Sequence, residues 1–218
     1  DKNFLMNAYY KRKAETFAPR YRFNGSGKSD FDSWKNSLLP ELKKALGPMP
    51  EPVDLNPEII CETEEDDIVK RRIIIDLEED MSAPIWLYIP KSAFKNPAPA
   101  ILCCHGHGQF GKDSVMGVRI ANYPEREAEI KKFNYDYGLQ MAKRGYVTIA
   151  VDWRGFGERS EGNAFYGKDE CNMNYIKAGL LGYNLLALDI FDGIRCIDYL
   201  CGLDFVDSER IGCMGLSF

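Results

Sequence analysis

The fold is decided by the last nine residues of the chain, which read Arg210-Ile211-Gly212-Cys213-Met214-Gly215-Leu216-Ser217-Phe218. The first part of this run has the character of a short apolar strand. The strand leads into Gly215-Leu216-Ser217-Phe218, which matches four of the five positions of the G-x-S-x-G motif. In that motif a serine lies on a sharp turn between a strand and a helix, with its hydroxyl exposed above the sheet. The sequence therefore predicts Ser217 as a nucleophile.

A serine nucleophile needs a general base, usually a histidine that a carboxylate orients. The chain contains only two histidines, His105 and His107, and both are assigned below to another part of the site. We therefore expect the chain to be the N-terminal part of a catalytic domain. A small residue such as glycine would follow Phe218, and about 100 or more further residues would supply an acid and then a histidine.

Composition and charge exclude several classes of protein. The 218 residues are 45% hydrophobic and 28% charged, which is typical of a soluble globular domain. The net charge of −5 argues against nucleic acid or an anionic membrane surface as a partner. No apolar run approaches the roughly 18 residues that a membrane-spanning helix needs.

The seven cysteines include no C-x-x-C pair. Four of them lie in apolar segments, where a reduced thiol behaves as a small hydrophobic side chain: Cys103, Cys104, Cys196 and Cys213. We interpret them as core residues in a reducing compartment. The expected location is the cytoplasm, with secretion as the alternative.

Residues 1–58 differ from the rest of the chain. Residues 30–46 place apolar side chains at helical spacing, with Ser29 or Asp30 as the N-cap and Gly47 as the stop. Pro40 is expected to kink or divide this helix. A stiff linker is predicted to follow because it contains Pro48, Pro50, Pro52 and Pro57. We predict a helical extension that packs on the main domain, and homo-oligomerisation is the alternative role.

Residues 59–218 alternate between strand and helix patterns. An acidic turn joins two β-branched runs into a predicted hairpin, and three apolar strands separated by helices follow. The predicted elements are a hairpin of 69–77 and 85–89, strands 100–104 and 146–151, helices 134–144 and 180–200, and the strand before Ser217. The fold class is therefore α/β, a three-layer sandwich with a parallel run of strands.

Functional residues in such sheets lie just beyond the carboxyl ends of the parallel strands. Those ends carry His105-Gly106-His107-Gly108, Asp152-Trp153-Arg154-Gly155 and Ser217. Glycines in the first of these loops would let its backbone approach a substrate closely. By position, the backbone N–H groups of His107 and Phe218 are the predicted donors of an oxyanion hole.

Three other interpretations of the first loop are weaker. His105 and His107 have the spacing of zinc ligands, but no third histidine or clear third ligand follows. Gly106-x-Gly108-x-x-Gly111 matches a dinucleotide-binding fingerprint, yet residues 112–126 are poorly helical, and no strand precedes Glu125 or Glu127, where the fingerprint expects an acidic residue about 20 positions on. A thiol nucleophile at Cys104 would point to the opposite side from its neighbour His105.

The second loop, which follows the strand 146–151, has two interpretations. Trp153 and Arg154 would form a wall of the substrate pocket, or an Asp–Arg pair within the loop would hold it in place. Asp152 is an unsuitable triad acid, because in proteins with a G-x-S-x-G elbow the acid follows the serine in the chain.

Several blocks of the sequence resemble a known superfamily. They are residues 101–108, Gly111-Lys112, Gly145-Tyr146-Val147, residues 152–159 and residues 210–218. Together they resemble the α/β-hydrolases, in the branch that groups dienelactone hydrolase-like and acetyl xylan esterase-like proteins. The resemblance covers roughly residues 65–218.

The resemblance implies a serine-dependent ester hydrolase of the carboxylesterase or deacetylase type, acting on a small-molecule ester with an acetyl or other short acyl group. Ser217 would be the nucleophile, and the triad Asp and His would lie beyond residue 218, so this part of the domain alone is expected to be inactive. The substrate-pocket candidates are His105, Gly106, Gly108, Trp153 and Arg154. No metal or organic cofactor is implied. The alternatives are a non-catalytic binding protein of the same fold and a dinucleotide-binding oxidoreductase.

Overall fold

A computed structural model describes residues 2–119, 123–161 and 170–217. The chain divides into two compact units, Asp1–Leu46 and Gly47–Phe218. The first unit contains α1 (Met6–Glu15) and α2 (Lys28–Leu46). α2 continues through Pro40, so of the two expectations for this proline the division of the helix is wrong, and the kink stays a prediction. Neither helix has a buried residue.

The second unit contains every strand of the described chain. Its elements are β1 (Glu58–Glu65), β2 (Ile68–Glu78), β3 (Met81–Pro90), β4 (Ala98–Cys104), α3 (Gly111–Val115), α4 (Pro124–Phe133), α5 (Tyr137–Ala142), β5 (Val147–Val151), α6 (Cys171–Leu180), α7 (Leu185–Cys201) and β6 (Val206–Gly215). The predicted hairpin and the three predicted later strands are confirmed. The predicted helix starting at Asn134 is wrong in its boundary, because Asn134 ends α4 in a left-handed conformation.

The described strands form one six-stranded sheet in the order β1-β2-β3-β5-β4-β6. The first three strands are antiparallel, and β3 pairs antiparallel with β5. β5, β4 and β6 run parallel to one another. The chain passes from β4 to β5 on one side and then returns to β6 on the other side. β4 is therefore a point at which the strand order reverses, and ligand sites in open α/β sheets form at such points.

Two hydrophobic clusters lie on opposite faces of the sheet. Leu102 and Ile149 pack with residues of α6 and α7 on one face. Cys103 and Ala150, their neighbours along the strands, pack with residues of α3 and α5 on the other face. Because successive side chains of a strand point to opposite faces, one buried strand contributes to both clusters. The predicted three-layer α/β architecture is confirmed.

The charged residues of α7 occupy an unexpected position. The sequence pattern assigns Asp189, Asp192 and Arg195 to the polar positions of this helix, yet all three are buried. Its exposed residues include the apolar Leu186 and Ile190. Ion pairs described below explain the burial of Asp192. Within the described ranges, no helix has the length and apolar character that crossing a bilayer requires.

The cysteines divide between core and surface. Cys103 and Cys196 are buried, as predicted, and Cys104 is partly buried. Cys213 is exposed in the described chain, so its assignment to the core is wrong. Its sulfur lies 3.4 Å from that of Cys104 on the neighbouring strand, and all seven cysteines are free thiols.

Candidate active site

The three predicted clusters lie at the carboxyl edge of the parallel strands. His105 directly follows β4, Asp152 directly follows β5, and Ser217 lies two residues beyond the end of β6. Parallel pairing of Cys104 with Gly215 brings the ends of β4 and β6 side by side. The loop 105–108 is therefore the direct neighbour of the serine turn.

Ser217 has the backbone conformation expected of a nucleophile elbow. Its φ is +77°, a left-handed value that is uncommon for a residue other than glycine. Such strain persists only where the surrounding structure holds it, and it concentrates at functional sites. Two glycines allow the tight packing around it. A Cβ at Gly215 would lie 2.9 Å from the Cβ of Cys104, and one at Gly106 would lie 2.8 Å from the Cβ of Ser217.

A cavity of about 320 Å³ opens beside Ser217. Three of the substrate-pocket candidates, His105, Gly106 and Gly108, contribute to its lining. An aromatic wall, which the sequence analysis did not predict, is formed by Phe110, Tyr135 and Tyr137. The structure thus brings the serine, the glycine loop and an apolar surface together around one space.

Trp153 and Arg154, the other two pocket candidates, lie elsewhere. Trp153 is buried and borders a separate apolar cavity of about 290 Å³ beside α7. Arg154 borders a third cavity together with Ser82 and Tyr183. Neither residue lines the cavity at Ser217 in the described chain.

The His105 ring fastens the glycine loop to the end of β5. Its Nε2 accepts a hydrogen bond from the backbone N–H of Trp153 at 2.9 Å, and its Nδ1 lies 2.7 Å from the carbonyl oxygen of Gly106. Because an N–H must donate to Nε2, the ring carries its proton on Nδ1 and is neutral. Burial lowers the pKa of His105 and favours the same neutral form. Its own carbonyl oxygen accepts from the Trp153 indole at 3.0 Å.

The side chain of His107 is exposed. Its Nε2 lies 3.3 Å from the sulfur of Cys171, and its ring meets the Phe156 ring edge to face. Both histidine rings contact the ring of Phe156. No group of three His, Cys, Asp or Glu side chains with metal-binding geometry occurs among the described residues. The role of the His107 backbone N–H stays a prediction, and Phe218, the second predicted oxyanion donor, lies outside the described residues.

Asp152 is buried at the centre of a charge cluster behind the glycine loop. Its carboxylate accepts from the backbone N–H and the Nζ of Lys112, each at 2.8 Å, and from the backbone N–H of Glu158 at 3.0 Å. Burial alone would lower the pKa of Lys112, but Asp152, Asp113 and Glu158 outweigh it and raise that pKa. Lys112 therefore remains charged and holds the loops after β4 and β5 together.

Residues 112–126 are more helical than the sequence analysis expects, since α3 and the start of α4 lie in this segment. The dinucleotide interpretation nevertheless has no support. The fingerprint requires a free helix N-terminus for a pyrophosphate, and the Asp152 carboxylate occupies the first turn of α3 through the N–H of Lys112. A Cβ at Gly111 would lie 2.0 Å from this carboxylate.

The arginines of the second loop form ion pairs with α7 rather than with the Asp152 carboxylate, although Arg159 also donates to the Asp152 backbone carbonyl oxygen at 2.9 Å. Arg154 forms a two-pronged contact with Asp192, at 2.7 and 3.1 Å, and Arg159 contacts the same carboxylate at 2.7 Å. The interpretation in which Asp152 forms an ion pair with an arginine of its own loop is therefore wrong, because both arginines pair with Asp192 instead. Asp189 accepts from the backbone N–H of Arg154 at 3.0 Å, and burial raises the pKa of this carboxyl to about 7.

Three residues with clear structural roles were missed by sequence reasoning. Lysine is rarely buried, so a single sequence gives no sign that Lys112 belongs to the interior. Asp192 occupies a polar helix position, which is usually exposed to solvent. Tyr137 lies in a segment with a weak helix pattern, and nothing in the sequence distinguishes it from the other tyrosines among the twelve in the chain.

A serine on a strained turn after the third parallel strand, beside a glycine loop at the end of the first, defines an α/β-hydrolase. The chain belongs to the Abhydrolase family, whose sequence model (Abhydrolase_7) matches residues 7–218. The resemblance to α/β-hydrolases predicted from the sequence is confirmed.

Relatives with known sequences or structures agree with this assignment. The Bacillus subtilis (strain 168) protein named "Putative hydrolase YtaP" is 25% identical over 178 residues, which are 81% of this chain and 54% of that protein. A Bacteroides fragilis structure described as a "putative acetyl xylan esterase" has a TM-score of 0.75 at 18% identity and covers 99% of this chain and 55% of its own. A glucuronoyl esterase from Teredinibacter turnerae T7901 has a TM-score of 0.56 at 17% identity, covering 90% and 50%. The chain thus spans about half the length of these proteins.

Proposed function

We propose that the whole protein is a serine-dependent ester hydrolase in which Ser217 is the nucleophile. The observation that carries the proposal is the conformation of Ser217, with φ at +77° and the Gly106 backbone packed against it. A strained serine in contact with a glycine loop is the arrangement that acyl transfer requires. It exposes the hydroxyl and brings backbone N–H groups towards the oxygen of the substrate carbonyl.

The reaction proceeds through an acyl-enzyme. The Ser217 oxygen attacks the ester carbonyl as a base removes its proton, and the resulting oxyanion binds the N–H groups of His107 and Phe218. Collapse of this intermediate releases the alcohol, which receives the proton from the base. Water then attacks the acyl-enzyme in the same way and releases the carboxylic acid.

The base is proposed to be a histidine beyond residue 218, paired with an acid that precedes it. His105 cannot serve, because its Nε2 already accepts the Trp153 N–H and burial lowers the pKa of the ring. His107 lies in the oxyanion loop with its ring directed to Cys171. A chain that spans about half of its relatives leaves room for both remaining triad members.

The ester class is supported by the names of the similar structures. Structures described as a "putative acetyl xylan esterase", a methylesterase and a glucuronoyl esterase share this fold with TM-scores of 0.75, 0.59 and 0.56. All three names describe cleavage of a carboxylic ester. The substrate is therefore proposed to be a small-molecule ester, and the acetyl or other short acyl group is proposed on the name of the first of these structures alone.

Ester hydrolysis by variants of the full-length protein tests the proposal. Ser217→Ala is expected to lower kcat by about 10⁴ to 10⁶. Ser208→Ala, at an exposed serine of β6, the strand that leads to the Ser217 turn, is the matched control and should keep wild-type kcat. Equal activity of Ser217→Ala and wild type would show that another residue, or no residue, is the nucleophile.

A further inference from the structure

The hydroxyl of Tyr137 donates a hydrogen bond to the carbonyl oxygen of Cys104. Cys104 is the last residue of β4, so this bond is made at the point where the strand becomes the glycine loop. The ring of Tyr137 also lines the cavity beside Ser217. One side chain thus contacts both the base of the loop and the space that a substrate would occupy.

The backbone around Tyr137 is fixed against the sheet. Thr148 of β5 donates through its hydroxyl to the carbonyl oxygen of Gly138 at 3.1 Å. Gly138 permits close packing, since a Cβ there would lie 2.5 Å from the sulfur of Met116 and 3.0 Å from the Val115 carbonyl oxygen. The first turn of α5 is therefore held between β5 and α3, and the tyrosine extends from a rigid position.

The next residue of the chain, His105, is held at the same end of the loop, because its ring accepts the backbone N–H of Trp153. The consecutive residues Cys104 and His105 are thus each fixed by a hydrogen bond to a residue of another segment, Tyr137 and Trp153. Burial raises the pKa of the Tyr137 hydroxyl, so it remains a donor throughout the neutral and mildly alkaline range. Backbone donors of an oxyanion hole are effective only when they are held in place before the reaction.

We propose that Tyr137 is a positioning residue for the oxyanion loop, whose hydroxyl fixes the Cys104 carbonyl and thereby aims the loop that carries the His107 N–H. This inference rests on the proposed function. Loss of the hydroxyl leaves the aromatic wall intact but frees the base of the loop. Loss of the hydroxyl should therefore weaken stabilisation of the transition state, in which the oxyanion forms, and should change binding of the ground-state ester much less.

The test compares Tyr137→Phe with Tyr88→Phe in the full-length protein. Tyr88 is a buried tyrosine of β3 that does not line the cavity, so it controls for removal of a buried hydroxyl. Tyr137→Phe is expected to lower kcat by about tenfold or more while KM for a short acyl ester changes by less than about threefold. Amide hydrogen exchange of residues 105–108 should also become faster in this variant alone.

Two results would overturn the inference. One is wild-type kcat in Tyr137→Phe. The other is a loss in which KM rises and the exchange of residues 105–108 is unchanged, since the tyrosine would then act only as a wall of the cavity. A wild-type protein without ester hydrolysis would be a separate result: it rejects the proposed function, and with it the role of Tyr137, before any variant is compared.

Discussion

The backbone of Gly106 lies directly against Ser217. A methyl group at residue 106 would stand 2.8 Å from the Ser217 Cβ and 2.5 Å from the carbonyl oxygen of Leu216. Real Cβ atoms do not approach so closely, and both neighbours belong to the short serine turn. The glycine loop and the elbow are therefore packed directly against each other, with no room for a side chain at residue 106.

Gly106→Ala should separate the loop from the elbow and lower kcat by about 10² to 10³, the cost of losing one oxyanion donor. The measurement is ester hydrolysis by the full-length variant, together with its thermal unfolding midpoint. Gly179→Ala is the control, because a Cβ at this helical glycine meets nothing within 4 Å. Wild-type activity in Gly106→Ala would mean that the close contact is unimportant for the reaction.

His107→Ala should have a small effect, because the backbone N–H assigned to the oxyanion hole survives the change. We expect kcat to fall by less than about tenfold, against the roughly 10⁴ to 10⁶ expected for Ser217→Ala. Steady-state kinetics on one ester with both variants makes the comparison. If the two losses were equal, the histidine ring would have to act chemically, and the backbone assignment would be wrong.

Lys112→Met should destabilise the fold. Removing the cation leaves the fully buried carboxylate of Asp152 without its charged partner, which costs about 3–5 kcal/mol for a buried pair, whereas Glu158 keeps its ion pair with Arg72. Lys28→Met, at an exposed pair with Asp32, should cost about 1 kcal/mol or less. Urea unfolding of the two variants measures the difference. Equal free energies of unfolding would contradict a structural role for the buried cluster.

Asp189 should make the protein less stable as the pH rises. Burial raises the pKa of this carboxyl from 3.8 to about 7, so the folded state binds a proton more tightly than the unfolded state does. The unfolded state therefore loses its proton first, and stability falls between about pH 4 and pH 7. The Asp189 side chain also has one oxygen without a hydrogen-bond partner.

Asp189→Asn removes the titration and keeps an oxygen to accept the Arg154 N–H. The free energy of unfolding of the variant, relative to wild type, should be higher at pH 8 than at pH 4, by about 1.4 kcal/mol for each unit of pKa shift that the native protein retains. Chemical unfolding at the two pH values supplies the comparison. A difference that is independent of pH would show that Asp189 titrates normally in the fold.

The strands and their order of appearance could be predicted from the sequence because short apolar runs bounded by turn residues carry a strong local signal. The position of the polar clusters at the carboxyl edge could also be predicted, because parallel strands end at the same edge of the sheet whatever their side chains pack against. The position of the loop 105–108 and Ser217 at one edge of the sheet, which was predicted, follows from that topology alone.

Pairings between distant side chains could not be predicted. Asp192 accepts from Arg154 and Arg159, and Lys112 binds Asp152, but charged residues at helix or loop positions resemble ordinary surface residues in a single sequence. In the folded protein these residues are buried, and a buried charge is costly unless an opposite charge inside the protein compensates for the lost hydration. The contact between Tyr137 and Cys104 joins residues 33 positions apart and has no local pattern at all.

The central claim is that Ser217 is the reactive nucleophile, and one measurement tests it most directly. The full-length protein is treated with a fluorophosphonate, digested, and analysed by peptide mass spectrometry, with the Ser217→Ala variant in parallel. The account predicts one phosphonylated residue, Ser217, with loss of ester hydrolysis in proportion to labelling and no label on the variant. Labelling of another residue, or an unlabelled protein that still hydrolyses esters, would contradict it.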